Sequence, residues 1–256
     1  MFRQIAVALL ASLSCSAALA ASESVNNTAT LRASRPLHQA GPIPNVVDPT
    51  SWYSNVTSFT GSAFTNGGSA NQAGNTISRL VCDDITFDAG LAGRALSTFT
   101  FSVNNNAATI VTARPRVRFY TNTAGAPGTY LTGFSFNAIA FPAATVGLFS
   151  GDVSGSNITI AGTGTTTIWA CMTFDNNTGA TGATLADIDS LGQGTFSPVD
   201  RGSSTDTIFV STAPGSFVGV TPAGAPTNFG GTPLANLGWE MTDASLPVTL
   251  QQFNVD

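Results

Sequence analysis

Thr165-Thr166-Thr167-Ile168-Trp169-Ala170-Cys171-Met172-Thr173-Phe174, followed by Asp175-Asn176-Asn177-Thr178-Gly179, decides the fold class. β-Branched and aromatic residues fill the run, no Pro or Gly interrupts it, and Asp, Asn and Gly end it. This pattern predicts a central β-strand with a firm stop.

Similar runs recur along the chain. Strands are expected over 52–60, 77–87, 95–103, 114–121, 129–137, 157–161, 205–211, 236–242 and 247–254, besides 165–174. Gly61, Asn66-Gly67-Gly68, Asn104-Asn105-Asn106, Gly125-Ala126-Pro127-Gly128, Gly151 and Gly162 punctuate them. Short strands at this spacing predict an all-β fold, a single β-sandwich of jelly-roll or Greek-key type. Leu185-Ala186-Asp187-Ile188-Asp189 reads as a turn of helix or a loop strap, and the Pro- and Gly-rich run 212–235 as a long loop over one face.

Composition agrees. Charged residues make up 9% of the chain, against about 25% in an average protein. There is no lysine, and the only glutamates are Glu23 and Glu240. Helix surfaces are usually built from Lys, Glu, Gln and Arg, so this scarcity argues against exposed helices. The formal charge of −5 and a pI near 4.6 give no basic footprint for nucleic acid or an anionic membrane.

The first 20 residues have the layout of a secretory signal peptide: Arg3, an apolar run from Ile5 to Leu13, and Ala18-Leu19-Ala20 as the cleavage site. The apolar run is too short to span a bilayer. A lipoprotein reading would acylate Cys15, but Ser12-Leu13-Ser14 lacks the leucine usual three residues before such a cysteine. Residues 21–45, with Arg35-Pro36 and Gly41-Pro42-Ile43-Pro44, are expected to form a flexible leader. One sandwich domain is expected over 46–256. The protein is thus expected to be secreted, extracellular or at the cell surface, with the periplasm as a further location.

Cleavage would leave Cys82 and Cys171 as the two cysteines of an exported chain, which predicts a structural disulfide between them. Alternation places Val81, Ile85 and Phe87 on one face, with Leu80, Cys82, Asp84 and Thr86 on the other. In 165–174, Trp169 and Cys171 fall opposite Ile168, Ala170 and Met172, and a bond across neighbouring strands or from strand to covering loop would satisfy both patterns.

His38, the sole histidine, lies in the expected leader. A Ser-His-Asp triad, a Cys-His dyad or a histidine zinc site would each have to recruit it from there. Lysine is absent, which removes Schiff-base chemistry and Walker-type phosphate loops. The chain is therefore expected not to be an enzyme. The one remaining catalytic option is a carbohydrate-active enzyme using paired aspartates.

Asp83, Asp84, Asp187 and Asp189 are the candidate ligands for calcium, which takes six to eight oxygens; solvated turns are the bland alternative. No other cofactor is expected. Arg114, Arg116 and Arg118 alternate with Pro115, Val117 and Phe119, so the three should project from one sheet face. With Trp169 they are candidates for binding an anionic glycan or a partner's carboxylates, against cross-strand pairing with aspartate or a packed core. The expected partners are an extracellular glycan or a surface protein.

Val117-Arg118-Phe119-Tyr120, Gly125-Ala126-Pro127-Gly128-Thr129-Tyr130-Leu131 and Ile168-Trp169-Ala170-Cys171 resemble segments of uncharacterised secreted bacterial β-sandwich proteins. Leu246-Pro247-Val248-Thr249-Leu250 is similar to the segment that precedes C-terminal sorting domains in some of them. Read with its end at Asp256, the chain would lack that sorting domain. The resemblance implies an exported sandwich and brings no catalytic residue. A binding or surface-associated module is the first functional expectation, with a self-assembling structural or adhesive accessory protein as the alternative.

Overall fold

A computed structural model describes residues 24–45, 47–67, 77–87, 95–159, 167–176, 181–211, 219–228, 231 and 236–243. The expected signal peptide, the strand over 247–254 and the tail at 246–253 lie outside the described residues.

In chain order the strands are β1 (Ser24–Asn27), β2 (Ala29–Pro36), β3 (Gly41–Pro42), β4 (Ser51–Ser54), β5 (Ser58–Thr65), β6 (Val81–Thr86), β7 (Leu96–Asn105) and β8 (Val111–Thr123). There follow β9 (Ala126–Phe136), β10 (Ile139–Phe141), β11 (Thr145–Asp152), β12 (Thr167–Asp175), β13 (Leu191–Phe196), β14 (Thr207–Ser211), β15 (Gly224–Asn228) and β16 (Trp239–Asp243). One short helix, α1 (Leu185–Asp189), stands between β12 and β13. No described helix is long and apolar enough to cross a membrane.

The strands form two sheets. The first runs β1-β9-β8-β12-β6-β14-β15, with β10 also on β8. The second runs β2-β11-β7-β13-β5-β3, with β16 joining β7 to β4. The all-β sandwich expected from the sequence is what the chain adopts. β12, the run that announced it, sits between β8 and β6 and is hydrogen-bonded on both sides.

The period of two assigns each side chain its layer. Ile168, Ala170, Met172 and Phe174 face the second sheet and meet Phe99, Phe101, Trp239 and Met241 in the main core. Phe99 is central: its ring centre lies 5.2 Å from Phe134, 5.4 Å from Trp239 and 6.0 Å from Phe119. Aromatic pairs at such distances add roughly 0.5–1.5 kcal/mol each beyond area burial. The opposite row of the first sheet is also buried, as Leu80, Cys82, Tyr120, Trp169, Cys171 and Phe209 form a separate cluster. Cys82 and Cys171 are direct partners on β6 and β12, and they are joined as the predicted disulfide.

The segment expected to be a flexible leader is instead built into both sheets from Ser24 onward. β1 lies parallel to β9, and β2 runs antiparallel to β11 from Ala29↔Gly151 to Pro36↔Thr145. Beyond β2 the chain folds over the outer face of the second sheet. There Ala33 and Ile43 close a small core with Val56, Phe59, Val146, Leu148 and Phe196. The Arg35 guanidinium holds this bend by donating to the carbonyls of Gln39 and Ala40, each at 3.1 Å, and of Pro42. Pro36 ends β2 and Pro42 sits in an edge strand, positions where the missing N–H costs little.

β11 and β13 were not expected, because Gly147, Gly151, Gly192 and Gly194 hide them. Gly194 is there for close packing: a Cβ on it would come within 2.7 Å of Val146 Cγ2. Conversely, a strand was expected over 157–161, and its described part, 157–159, carries no ladder. Asn157 takes a left-handed conformation (φ 51°) after a 3-10 turn at Ser154–Ser156 and breaks the extended course.

Candidate functional site

The predicted ligand residues are placed as follows. Arg114, Arg116 and Arg118 do share the outer face of the first sheet, standing opposite Asp175, Thr173 and Cys171 on β12. Arg114 Nη2 lies 3.3 Å from Asp175 Oδ2, and Arg116 Nε contacts the same oxygen. Arg118 is fully buried, and its Nη1 donates to the carbonyl of Val117 at 2.8 Å. The stripe is thus engaged within the ladder rather than offered to solvent.

Trp169 is 1% exposed. Its Nε1 donates to Asn122 Oδ1 at 3.1 Å and its ring meets Phe209 edge-on. Trp52, Trp239, Tyr53 and Tyr120 are buried as well. These aromatic faces are covered, and none of them is offered to a sugar.

The four candidate calcium aspartates are not gathered into one set. Asp83 and Asp84 are neighbours in β6 and therefore point to opposite faces. Asp187 closes a capping box with Thr184: its carboxylate accepts the Thr184 N–H at 2.7 Å, and its own N–H donates to Thr184 Oγ1 at 3.2 Å. The Thr184 N–H and the Thr184 hydroxyl, which also donates to the carboxylate at 2.8 Å, hold the Asp187 carboxyl below the ordinary range. Asp189 ends α1, where its carbonyl accepts Thr65 Oγ1 at 3.1 Å. No group of three His, Cys, Asp or Glu side chains suited to a metal ion occurs among the described residues.

Two arrangements were invisible in the sequence. The first is a cleft of about 370 Å³ at one end of the sandwich, lined by Asp48, Asp152 and Asp243 with Thr50, Ser97 and Thr242. Two of its acids serve their own turns. Asp48 Oδ1 accepts Thr50 N and Oγ1 at 2.8 and 2.6 Å, and Asp152 Oδ1 accepts Ser154 N at 2.8 Å.

The second lies inside. Asp83 belongs to the inward row of β6, between Val81 and Ile85, and is fully buried. Ser204, in the segment entering β14, donates through Oγ to Asp83 Oδ1 at 3.1 Å. Leu237, just before β16, donates its N–H to Asp83 Oδ2 at 2.7 Å. Ser204 Oγ also lies 3.2 Å from Asn236 Oδ1. Asn236 is fully buried, and its Nδ2 has no hydrogen-bond partner among the described residues.

Burial pushes the Asp83 carboxyl well above the usual range, helped by the charge of Asp84, and the two donated bonds offset only part of this. The buried Tyr53 hydroxyl is raised too, first by desolvation and then by Asp83. Asp84, on the other face, accepts Thr205 N at 3.2 Å and Thr205 Oγ1 at 2.8 Å, and burial raises it as well. An acid, a hydroxyl and a primary amide therefore meet where three chain segments converge. Asp83-Asp84 was legible as a pair of acids, but nothing in the order of residues joins them to Ser204 or Asn236.

Comparison with protein-family models, with curated proteins and with solved structures gives no match, so the functional reading rests on this geometry.

Proposed function

We propose that the protein is an exported, non-enzymatic β-sandwich acting as a surface-associated structural module outside the cytoplasm. The observation that carries this reading is the burial of Trp52, Trp169 and Trp239. A glycan-stacking groove needs exposed ring faces, and two of the candidate basic residues already engage Asp175. Support therefore moves from sugar recognition to contact through polar edges and turns. The oxidised cysteine pair suits an oxidising compartment, and Ala18-Leu19-Ala20 supports export.

The test uses the disulfide-intact chain. Its mass is followed by light scattering over a wide concentration range, and it is passed over immobilised cell-wall polymers and surface proteins. Assembly with itself, or retention by a surface protein, is expected. A monomer at every concentration with blank retention overturns the reading, and hydrolysis of a polysaccharide replaces it with an aspartate-based enzyme.

A further inference from the structure

We propose that Ser204 and Asn236 form a self-modification site, in which Ser204 Oγ and Asn236 Cγ join as an intramolecular ester. The hydroxyl, the acid and the amide oxygen are in contact. The hydroxyl is 3.2 Å from the oxygen of the amide it would attack and 3.1 Å from the carboxylate of Asp83. Holding the two groups together in a buried setting turns an otherwise very slow exchange into a unimolecular one.

The step balances without any co-reactant. The Ser204 O–H bond breaks as the Oγ–Cγ bond forms, and Asp83 takes the proton. Asn236 Nδ2, which has no partner in the resting arrangement, must turn toward Asp83 to receive that proton; the Cγ–Nδ2 bond then breaks and ammonia leaves. In its ionised form, a carboxyl raised by burial is a stronger base than an ordinary one, which suits it to take the hydroxyl proton. Ser204 is half-buried beside exposed Ser203 and Thr205, which gives ammonia a way out.

Two further details fit. The leaving atom, Nδ2, is one of several buried donors without a partner among the described residues, so no hydrogen bond has to break for it to depart. The Leu237 N–H, which would otherwise attack the Asn236 side chain to give a succinimide, is committed to Asp83 at 2.7 Å. The cross-link would tie the entry of β14 to the entry of β16, and so fix a strand of one sheet to a strand of the other. It requires nothing of the surface-module reading.

Intact mass spectrometry of the purified, oxidised protein tests it. The chain is expected about 17 Da below its sequence mass, the loss of one ammonia, while Ser204→Ala and Asn236→Asp appear at their full masses. Cleavage after aromatic residues should then release one joined peptide holding residues 204 and 236, which hydroxylamine opens. Asp83→Asn should keep its full mass. A wild-type chain at full mass after long incubation overturns the proposal. So does a deficit that persists in Ser204→Ala, since that marks a succinimide.

Discussion

Asp175 receives both Arg114 and Arg116 on a single carboxylate oxygen, across the rungs where β12 meets β8. The acid is 1% exposed and the two arginine side chains 19% and 16%. Removing the acid leaves two guanidinium groups side by side without their shared counter-charge. Asp175→Ala is expected to destabilise the fold by about 1–3 kcal/mol, less than a fully buried pair would lose because the arginines are partly solvated. Urea unfolding measures it, and an unchanged midpoint would show that the ladder does not depend on this contact.

The disulfide closes a loop of 89 residues between two strands already paired. The chain-entropy argument puts its contribution at about 4–5 kcal/mol as an upper figure. Cys82→Ala/Cys171→Ala should lower the denaturant midpoint accordingly and should leave the β-rich circular dichroism in place below that midpoint. A double variant as stable as the parent would mean that the unfolded chain gains little freedom from losing the bond.

Asp83 sets a pH dependence of definite sign. Its carboxyl is raised in the folded state, so the folded chain holds this proton more tightly than the unfolded one. The contribution is complete below the ordinary carboxylate value near 4 and is lost as pH rises through the folded value. Thermal midpoints should therefore rise on acidification from neutral towards pH ~5. Asp83→Asn should remove most of that rise, leaving the smaller part that the raised Asp84 sets, and be no less stable at neutral pH. Asp152 and Asp187, lowered by the donors at their own turns, pull the other way in more acidic solution. If midpoints are flat from pH ~5 to ~8 in the parent, the buried acid is not titrating as its surroundings require.

All three tryptophans are at most 1% exposed. Their emission should be blue-shifted and resist acrylamide until the chain unfolds, and a panel of soluble glycans should leave it unchanged. A glycan-dependent quench would place an indole at the surface and return the sugar-stacking reading.

The sheet-forming character and the cysteine pair could be read from the sequence because both are local. Alternation at 79–87 and 165–174 assigned the inner and outer rows, and the structure keeps them. β2, β11 and β13 were missed for one reason: their extended shape depends on neighbours far along the chain. Gly147 and Gly192 look like turn residues until their close neighbours are seen, the Leu31 and Phe149 side chains for the first and the Phe64 carbonyl for the second. The acid–hydroxyl–amide cluster was hidden in the same way. Asp83 is separated from Ser204 by 121 residues and from Asn236 by 153, and only the two sheets coming together unite them.

A single uninterrupted run, 24–36, hems both layers, along β9 on one side and β11 on the other. Shearing it off would not merely shorten the chain. It would bare two raw backbone selvedges at once, on opposite layers of the same body, and such margins recruit any strand within reach. A version beginning at residue 37 should therefore form disordered aggregates at concentrations where the intact protein remains clear, with turbidity as the readout.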